Sequence, residues 1–146
     1  MSTLIKDLSK EAPRSPRIQI GGYPILARAL DKGRAELAGQ VGEYHFNCPL
    51  DNVLFGFKGV TGEEIHSLLA DGKNDGEIVA WLNAHGTPKT AEEITEWGNA
   101  FEKISGHNDP ERGEWFDGEC RRLGLDPSSA SLCDMLEADD QQSFAK

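Results

Sequence analysis

Apolar residues recur every three or four positions through most of the chain, which is the spacing of the buried face of an amphipathic helix. The clearest run predicts a first helix from about Tyr23 to Ala38, with Pro24 near its start, where a missing N–H costs nothing. Gly39 follows as a natural stop. The face that we expect to be buried consists of Leu26, Ala29, Leu30, Gly33 and Leu37.

Three later helices are predicted by a capping residue that is followed three positions on by an acidic residue. This is the pattern of a capping box. A glycine that can stop the helix follows each of these stretches. A short helix is also predicted before them, roughly from Leu50 to Phe57, and another after them that starts at Asp109 and Pro110. The predicted boxes are Thr61–Glu64, Asn74–Glu77 and Thr90–Glu93.

No sustained alternation of apolar and polar residues, which would indicate strands, interrupts this series. We therefore predict an all-α fold, a single compact domain of six or seven short helices over residues 1–146. Residues 1–22 would form an N-terminal arm, because two prolines and a Gly-Gly pair disfavour a helix there, and residues 23–146 would form the helical body. The core side chains expected from the later helices are Ile65, Leu68, Leu69, Ile78, Trp81, Leu82, Ile94, Trp97, Phe101, Ile104, Trp115, Phe116, Cys120, Leu132, Met135 and Leu136.

The net charge of the chain limits the kinds of partner that we expect it to bind. The chain carries a net charge of −10, although its first 40 residues hold seven Lys or Arg against four Asp or Glu. An acidic body repels phosphate backbones, so we expect no nucleic-acid partner. The chain has no apolar run of about 18 residues, so we expect no membrane span.

The number and spacing of the cysteines indicate in which cellular compartment we expect the protein. Cys48, Cys120 and Cys133 are an odd number of thiols without paired spacing, which is typical of reduced cysteines rather than of a disulfide framework. The first 17 residues hold too few large apolar side chains for the core of a signal peptide. We therefore expect a cytoplasmic protein.

Three stretches of the sequence together resemble a known family. They are PRSPRIQIGGYPILARALDKGRAELAG from Pro13, GEYHFNCPLD from Gly42, and the helix around Trp81. They resemble the bacterial family catalogued as domain of unknown function DUF5069, over most of the chain and most densely from Pro13 to Gly86. The stretch SLCDMLEADD also looks like the acidic closing segment of that family. The resemblance implies no established activity, cofactor or catalytic residue, so function has to be argued from the residues.

The arm carries a first candidate site, for a small anion. Arg14 and Arg17 precede Gly21 and Gly22, and Tyr23 begins the predicted helix. Free N–H groups and the dipole at a helix N-terminus attract phosphate or carboxylate, and arginine binds either group through a planar fork. In the alternative interpretation, the arginines only hold the arm against acidic residues of the body, and the glycines only make the turn.

The stretch EYHFNCPLD, from Glu43 to Asp51, holds a second candidate site. If a helix starts at Pro49, Cys48 is its N-cap, and the helix dipole would activate the thiol as a nucleophile with His45 as a base. We favour the other register, in which Asp51 is the N-cap, because Asp is a far commoner cap than Cys. Cys48 would then lie outside the helix as a structural residue.

Few other residues of the sequence suggest a metal site or a catalytic site. His45 and Cys48 have the spacing of half a zinc site, but no second close pair of ligands follows, so we expect no metal and no cofactor. The leading hypothesis is a binding module for a small anionic ligand or a protein partner. Two alternatives remain open: a small enzyme that uses Cys48 or His45 on an anionic substrate, and a purely structural or interaction protein. The sequence makes no prediction of the oligomeric state.

Overall fold

The computed structural model of the protein describes residues 5–144, which contain seven α-helices. The helices are α1 (Leu26–Leu37), α2 (Pro49–Lys58), α3 (Gly62–Ala70), α4 (Asp75–Ala84), α5 (Ala91–Phe101), α6 (Gly113–Arg122) and α7 (Leu132–Ser143). No strand occurs among these residues, so the predicted all-α class is confirmed. None of the seven helices is long and apolar enough to cross a membrane.

Capping boxes account for where most of the later helices begin. In each box the N-cap side chain accepts the N–H of the third helical residue, whose carboxylate accepts the N–H of the N-cap in return. The three predicted boxes are formed as expected, and a further one joins Ser131 to Asp134 at the start of α7. The glycines that follow the helices adopt the left-handed φ of a C-terminal stop at Gly39, Gly59, Gly72, Gly86 and Gly124.

Helix α1 begins later than predicted. Ile20 and Tyr23 pair in an isolated bridge across a tight turn, and Ile25, the N-cap, has a left-handed φ of 65°. A left-handed residue cannot continue a right-handed helix, so the helix begins at Leu26. Tyr23 therefore lies in the turn that precedes the helix rather than in its first turn.

Helix α6 also begins later than its sequence signal, at Gly113. The carboxylate of Asp109 accepts the N–H groups of Glu111 and Arg112 at 2.8 and 3.0 Å. These bonds close a local turn of the Asx type, which competes with a helix at the same residues. The Asp-Pro pair thus marks a turn before the helix and not the helix itself.

Two side chains predicted to be core are exposed. Trp115 is 54% exposed and Leu37 is 44% exposed, so both predictions are wrong. Phe116 and Cys120, four residues apart, form the buried stripe of α6, and Trp115 projects beside that stripe. Leu37 is the last residue of α1, and this end of the helix is exposed to solvent.

The apolar side chains form two separate clusters. The first, which we call the main core, draws on the turn before α1, on helices α1 to α5 and on Cys133 of α7. The second, which we call the C-terminal core, lies between α6 and α7 and consists of Phe116, Cys120, Ala130 and Met135, with four leucines partly buried against them. The buried members of the main core are Tyr23, Ile25, Leu26, Ala29, Leu30, Leu54, Phe55, Val60, Ile65, Leu69, Ile78, Leu82, Ile94, Phe101 and Cys133.

Helix α1 is buried over most of its length, although it carries four charged residues that are at most 5% exposed. Each has an opposite charge on another element, because an unpaired charge in such a position is very costly. Across the described residues, no buried side-chain nitrogen or oxygen lacks a hydrogen-bond partner. The pairs are Arg28 with Asp140, Asp31 with Arg14, Lys32 with Asp51, and Arg34 with Asp75.

Candidate functional site

Arg14, the first arginine of the predicted anion site, lies in a network of ion pairs beside α1. Its guanidinium contacts Asp31 at 3.0 Å and Asp75 at 2.9 Å, while Arg34 binds the other oxygen of Asp75 at 2.7 Å. Burial alone would lower the pKa of Arg14, but hydrogen bonds to Asp75 and Asp31 outweigh it and raise the pKa above its ordinary value. These carboxylates occupy the donors that an anion would need.

Arg17, the second arginine, joins the arm to α7. Its guanidinium contacts Asp134 at 2.5 Å and also binds Glu137 and, at 3.3 Å, the hydroxyl of Ser131. Ser15 reinforces the same contact by donating to Glu137 at 2.8 Å. Both arginines therefore hold the arm against acidic residues of the body, which are the contacts that the alternative interpretation describes.

Gly21 and Gly22 line a separate cleft of about 360 Å³, which we call the glycine cleft. Asn83 of α4 and Lys89, just before α5, contribute two of its polar side chains. The buried hydroxyl of Tyr23 donates to Asn83 Oδ1 at 2.8 Å, so Tyr23 orients that amide from behind. The rest of the lining comes from Ala91, Ile94 and Thr95.

The backbone requires both glycines of this cleft. Gly21 has a φ of 60° and Gly22 a φ of 86°, a region that glycine enters without strain. A Cβ on Gly22 would lie 3.2 Å from Ile94, and a Cβ on Gly21 would overlap Val79. The turn therefore packs directly on α4 and α5, and this wall of the cleft is backbone rather than side chain.

Lys89 is the charged residue among those that line the glycine cleft. Its ammonium lies 4.6 Å from the centroid of the Phe57 ring, a cation–π contact that places the charge beside an aromatic face. A second cation, Lys58, is close by: burial lowers the pKa of Lys58, and repulsion from Lys89 lowers it further. Two lysines therefore lie close together at this edge of an otherwise acidic protein.

Another cleft, of about 400 Å³, lies beside Arg17 and the start of α7. Its cations, Arg17 and Lys103, share the lining with the carboxylates of Glu102 and Asp134, and most of the remaining residues are serines. Arg17 is already paired with Asp134, so the charges in this cleft balance. It attracts an anion less than the glycine cleft does.

The corner at residues 43–51 differs from the favoured prediction. Helix α2 begins at Pro49, so Cys48 is its N-cap and the assignment of Asp51 as the cap is wrong. Asp51 is the third helical residue, and its Oδ2 accepts the N–H groups of Asn47 at 3.0 Å and Cys48 at 3.4 Å. Its Oδ1 contacts the ammonium of Lys32 at 3.0 Å. Asp is generally a common N-cap, but the carboxylate of Asp51 is fully buried and needs these partners. Asp51 therefore lies inside the helix.

The polar neighbour of the Cys48 thiol is a lysine and not the predicted histidine. Lys32 Nζ lies 3.3 Å from Cys48 Sγ and 3.0 Å from Asp51 Oδ1. Lys32 is buried, Cys48 is partly exposed, and His45 is exposed. The structure therefore brings together Lys32, Cys48 and Asp51, which we call the lysine–thiol cluster, and it does not place His45 against the thiol.

Three side chains of these sites were missed by sequence reasoning: Lys32, Asn83 and Lys89. Lys32 follows Arg28 by four positions, so the two lie on the same side of a helix that is otherwise rich in apolar residues. This pair of charges is the one feature of the sequence that points to Lys32. Asn83 and Lys89 lie at a helix end and in a short connection, where no motif marks them.

The cysteines and the other possible metal ligands of the described residues form no further site. Within residues 5–144, no group of three or more His, Cys, Asp or Glu side chains is arranged to hold a metal ion. Cys48, Cys120 and Cys133 are all free thiols. The chemistry of the described residues therefore lies in the glycine cleft and the lysine–thiol cluster.

Comparison with known proteins assigns the chain to a family. The family model described as Domain of unknown function (DUF5069) matches residues 10–142, a range that includes both candidate sites. No curated protein matches the chain. The matched range exceeds half of the sequence, and the chain therefore belongs to the DUF5069 family of domains of unknown function.

Proposed function

We propose that the protein is a binding module for a small ligand that carries a carboxylate or phosphate group, and that the ligand occupies the glycine cleft. One observation carries the proposal. The cleft is lined by two glycines, by uncharged side chains and by one charged group, the ammonium of Lys89. Concave sites with a few convergent polar groups are the usual places for small ligands.

In this proposal, Lys89 and Asn83 have different roles. Lys89 supplies the charge that selects an anion, and its contact with Phe57 limits where the ammonium can lie. Asn83 uses its Oδ1 to accept from Tyr23, so its Nδ2 hydrogens are the part of the amide left to donate to a ligand. The glycine backbone lets the ligand approach closely, while Arg14 and Arg17 hold the arm that carries this turn.

Thermal unfolding in the presence of anions tests this proposal. Phosphate and acetate, each compared with sodium chloride at the same ionic strength, should raise the Tm, because a ligand that binds only the folded state stabilises it by mass action. The gain is about 2.7 kcal/mol when the free ligand is at one hundred times its Kd. The gain should be lost in Lys89→Gln and kept in Lys103→Gln, which removes the corresponding charge from the other cleft.

Two results would contradict the proposal. One is a wild-type protein whose Tm is the same in phosphate, acetate and chloride. The other is a gain that survives in Lys89→Gln, since the anion would then bind elsewhere.

A second function, a small thiol enzyme, is favoured by one specific observation. The Cys48 thiol is partly exposed at the N-terminus of α2, and a buried ammonium lies 3.3 Å from it. Positive groups beside a cysteine are typical of reactive thiols. Iodoacetamide should then modify Cys48 much faster than Cys120 or Cys133, which are buried; equal rates at the three sites would contradict this function.

A further inference from the structure

The lysine–thiol cluster holds a primary amine and a thiol at hydrogen-bonding distance. Lys32 projects from α1 and Cys48 caps α2, and their Nζ and Sγ atoms are 3.3 Å apart. Lys32 has little freedom to move away, because its side chain is 5% exposed and its ammonium is held by Asp51 at 3.0 Å. None of these three residues lines the glycine cleft.

We propose that Lys32 and Cys48 are an oxidation site, at which one oxygen atom becomes bonded to both Nζ and Sγ. With hydrogen peroxide as the oxidant, one amine, one thiol and two peroxides give the N–O–S bridge and three waters, and the ammonium releases its extra proton. The nitrogen and the sulfur each lose two electrons, and the two peroxides accept all four. The first step is the ordinary one for a thiol, formation of a sulfenic acid.

The surroundings favour the bridge over simple oxidation of the thiol. The sulfenic acid forms beside an amine that cannot easily leave, whereas a sulfenic acid in solvent would meet water or further oxidant. Asp51 provides an acceptor for the proton that Lys32 must lose before its nitrogen can react. Cys48 is partly exposed whereas Cys120 and Cys133 are buried, so we expect peroxide to reach Cys48 most readily of the three.

The other two cysteines act as internal controls. Cys120 and Cys133 are buried, and burial raises the pKa of both thiols, so they remain protonated at neutral pH. The thiolate is the form that attacks peroxide. Cys48 is the partly exposed thiol of the three, so oxidation at low peroxide should begin there.

The bridge would change how α1 is attached to α2. In the reduced protein, the contact between the two helices at this point is the ion pair of Lys32 with Asp51, both almost fully buried. In the oxidised protein the lysine nitrogen carries no charge, and a covalent link joins residues that are 16 positions apart. The site would thus convert an electrostatic contact into a covalent one in response to peroxide.

The test uses the full chain, treated with dilute hydrogen peroxide and examined by mass spectrometry without a reducing agent. The expected product gains the mass of one oxygen atom and loses that of two hydrogen atoms. Digestion should yield a linked pair of peptides that contain Lys32 and Cys48. Excess dithiothreitol should restore the original mass, with two dithiols consumed for each bridge.

Two variants separate the bridge from other products. Lys32→Arg keeps a cation beside Asp51 but should give only sulfenic and sulfinic acid at Cys48, and Cys48→Ser should give no early product. If Lys32→Arg does not fold, peptide mapping of the wild-type protein decides the matter alone. The proposal is overturned if wild-type Cys48 gains only whole oxygen atoms, or if the linked peptides contain a different lysine or cysteine.

Discussion

The main core and the C-terminal core of this protein are stabilised in different ways. Within the described residues, fifteen buried side chains form the main core and four form the C-terminal core. Burial of apolar surface contributes roughly 25 cal/mol per Å², so the larger cluster supplies most of the apolar stabilisation. The smaller cluster joins α6 to α7, and α7 also contributes Cys133 to the main core.

Ion pairs add to these apolar contacts where α7 meets the arm and α1, a region that we call the charged seam. Arg17 binds Asp134 and Glu137, and Arg28 binds Asp140 at 2.8 Å. Directional charge contacts define a docking position more sharply than apolar contacts do, although they contribute less net stability. We therefore infer that charge helps to position α7, alongside the contact of Cys133 with the main core.

The largest effect should come from truncating a phenylalanine in each core. Phe55 and Phe116 are both fully buried, in the main core and the C-terminal core respectively. Phe55→Ala should lower the free energy of unfolding by about 3–5 kcal/mol. Phe116→Ala should cost less and should mainly increase hydrogen exchange in α6 and α7. Equal global losses in urea unfolding would mean that the two clusters act as one core.

A smaller effect is expected from removing a cation at the charged seam. Arg28→Ala removes the counter-charge of Asp140, a mostly buried carboxylate to which Tyr44 still donates at 2.7 Å, and should cost about 3 kcal/mol. Arg122→Ala is the matched control, because Arg122 also binds an α7 carboxylate, Asp139, but is largely exposed. The control should cost much less, because water screens an exposed ion pair. Similar losses for the two variants in urea unfolding would show that burial of the seam is unimportant.

Alkaline pH should weaken the main core through Cys133. Burial raises the pKa of this thiol from its ordinary value of 9.0 to about 11. Between these values the unfolded chain ionises first, so stability is complete below pH 9.0 and decreases by about 2–3 kcal/mol as the pH approaches 11. Unfolding measured across this range should show a shallower loss in Cys133→Ala. Parallel losses in the two proteins would exclude Cys133 as the cause.

The smallest effect concerns the ion pairs that hold the arm to the body. Burial would raise the pKa of Asp75, but hydrogen bonds from Arg14 and Arg34 outweigh it, so the pKa lies below 3.8. The stabilisation is therefore complete above about pH 4 and is lost as acid protonates Asp75 at lower pH. Asp75 is 35% exposed, so solvent limits the effect to less than about 1 kcal/mol. Asp75→Asn should remove this part of the acid dependence, and an unchanged acid profile would contradict it.

Local signals account for the parts of the fold that could be predicted from sequence. The boxes at Thr61, Asn74 and Thr90 form because donor and acceptor lie within one helical turn, so no distant residue is needed to complete them. For the same reason, helical periodicity and glycine stops predicted the all-α class. The start of α1 was missed because the left-handed Ile25 arises from packing of the turn and not from local preference.

The sites could be predicted less well, because they depend on distant partners. The sequence suggests a ligand for Arg14 and Arg17 but does not show that Asp75 and Glu137 reach them first. The role of Asp51 was likewise misassigned, since it is determined by Lys32 on another helix. Local cap preferences and charge patterns do not contain this long-range information.

The charged seam also has a consequence for biosynthesis. A ribosome makes Arg28 before Asp140, and 112 positions separate the two residues. At common translation rates this interval lasts on the order of ten seconds. During that time the cationic side of α1 exists without the carboxylate that will cover it, and that part of the chain is open to other acidic partners. The final docking of α7 is therefore a late event in the production of each molecule.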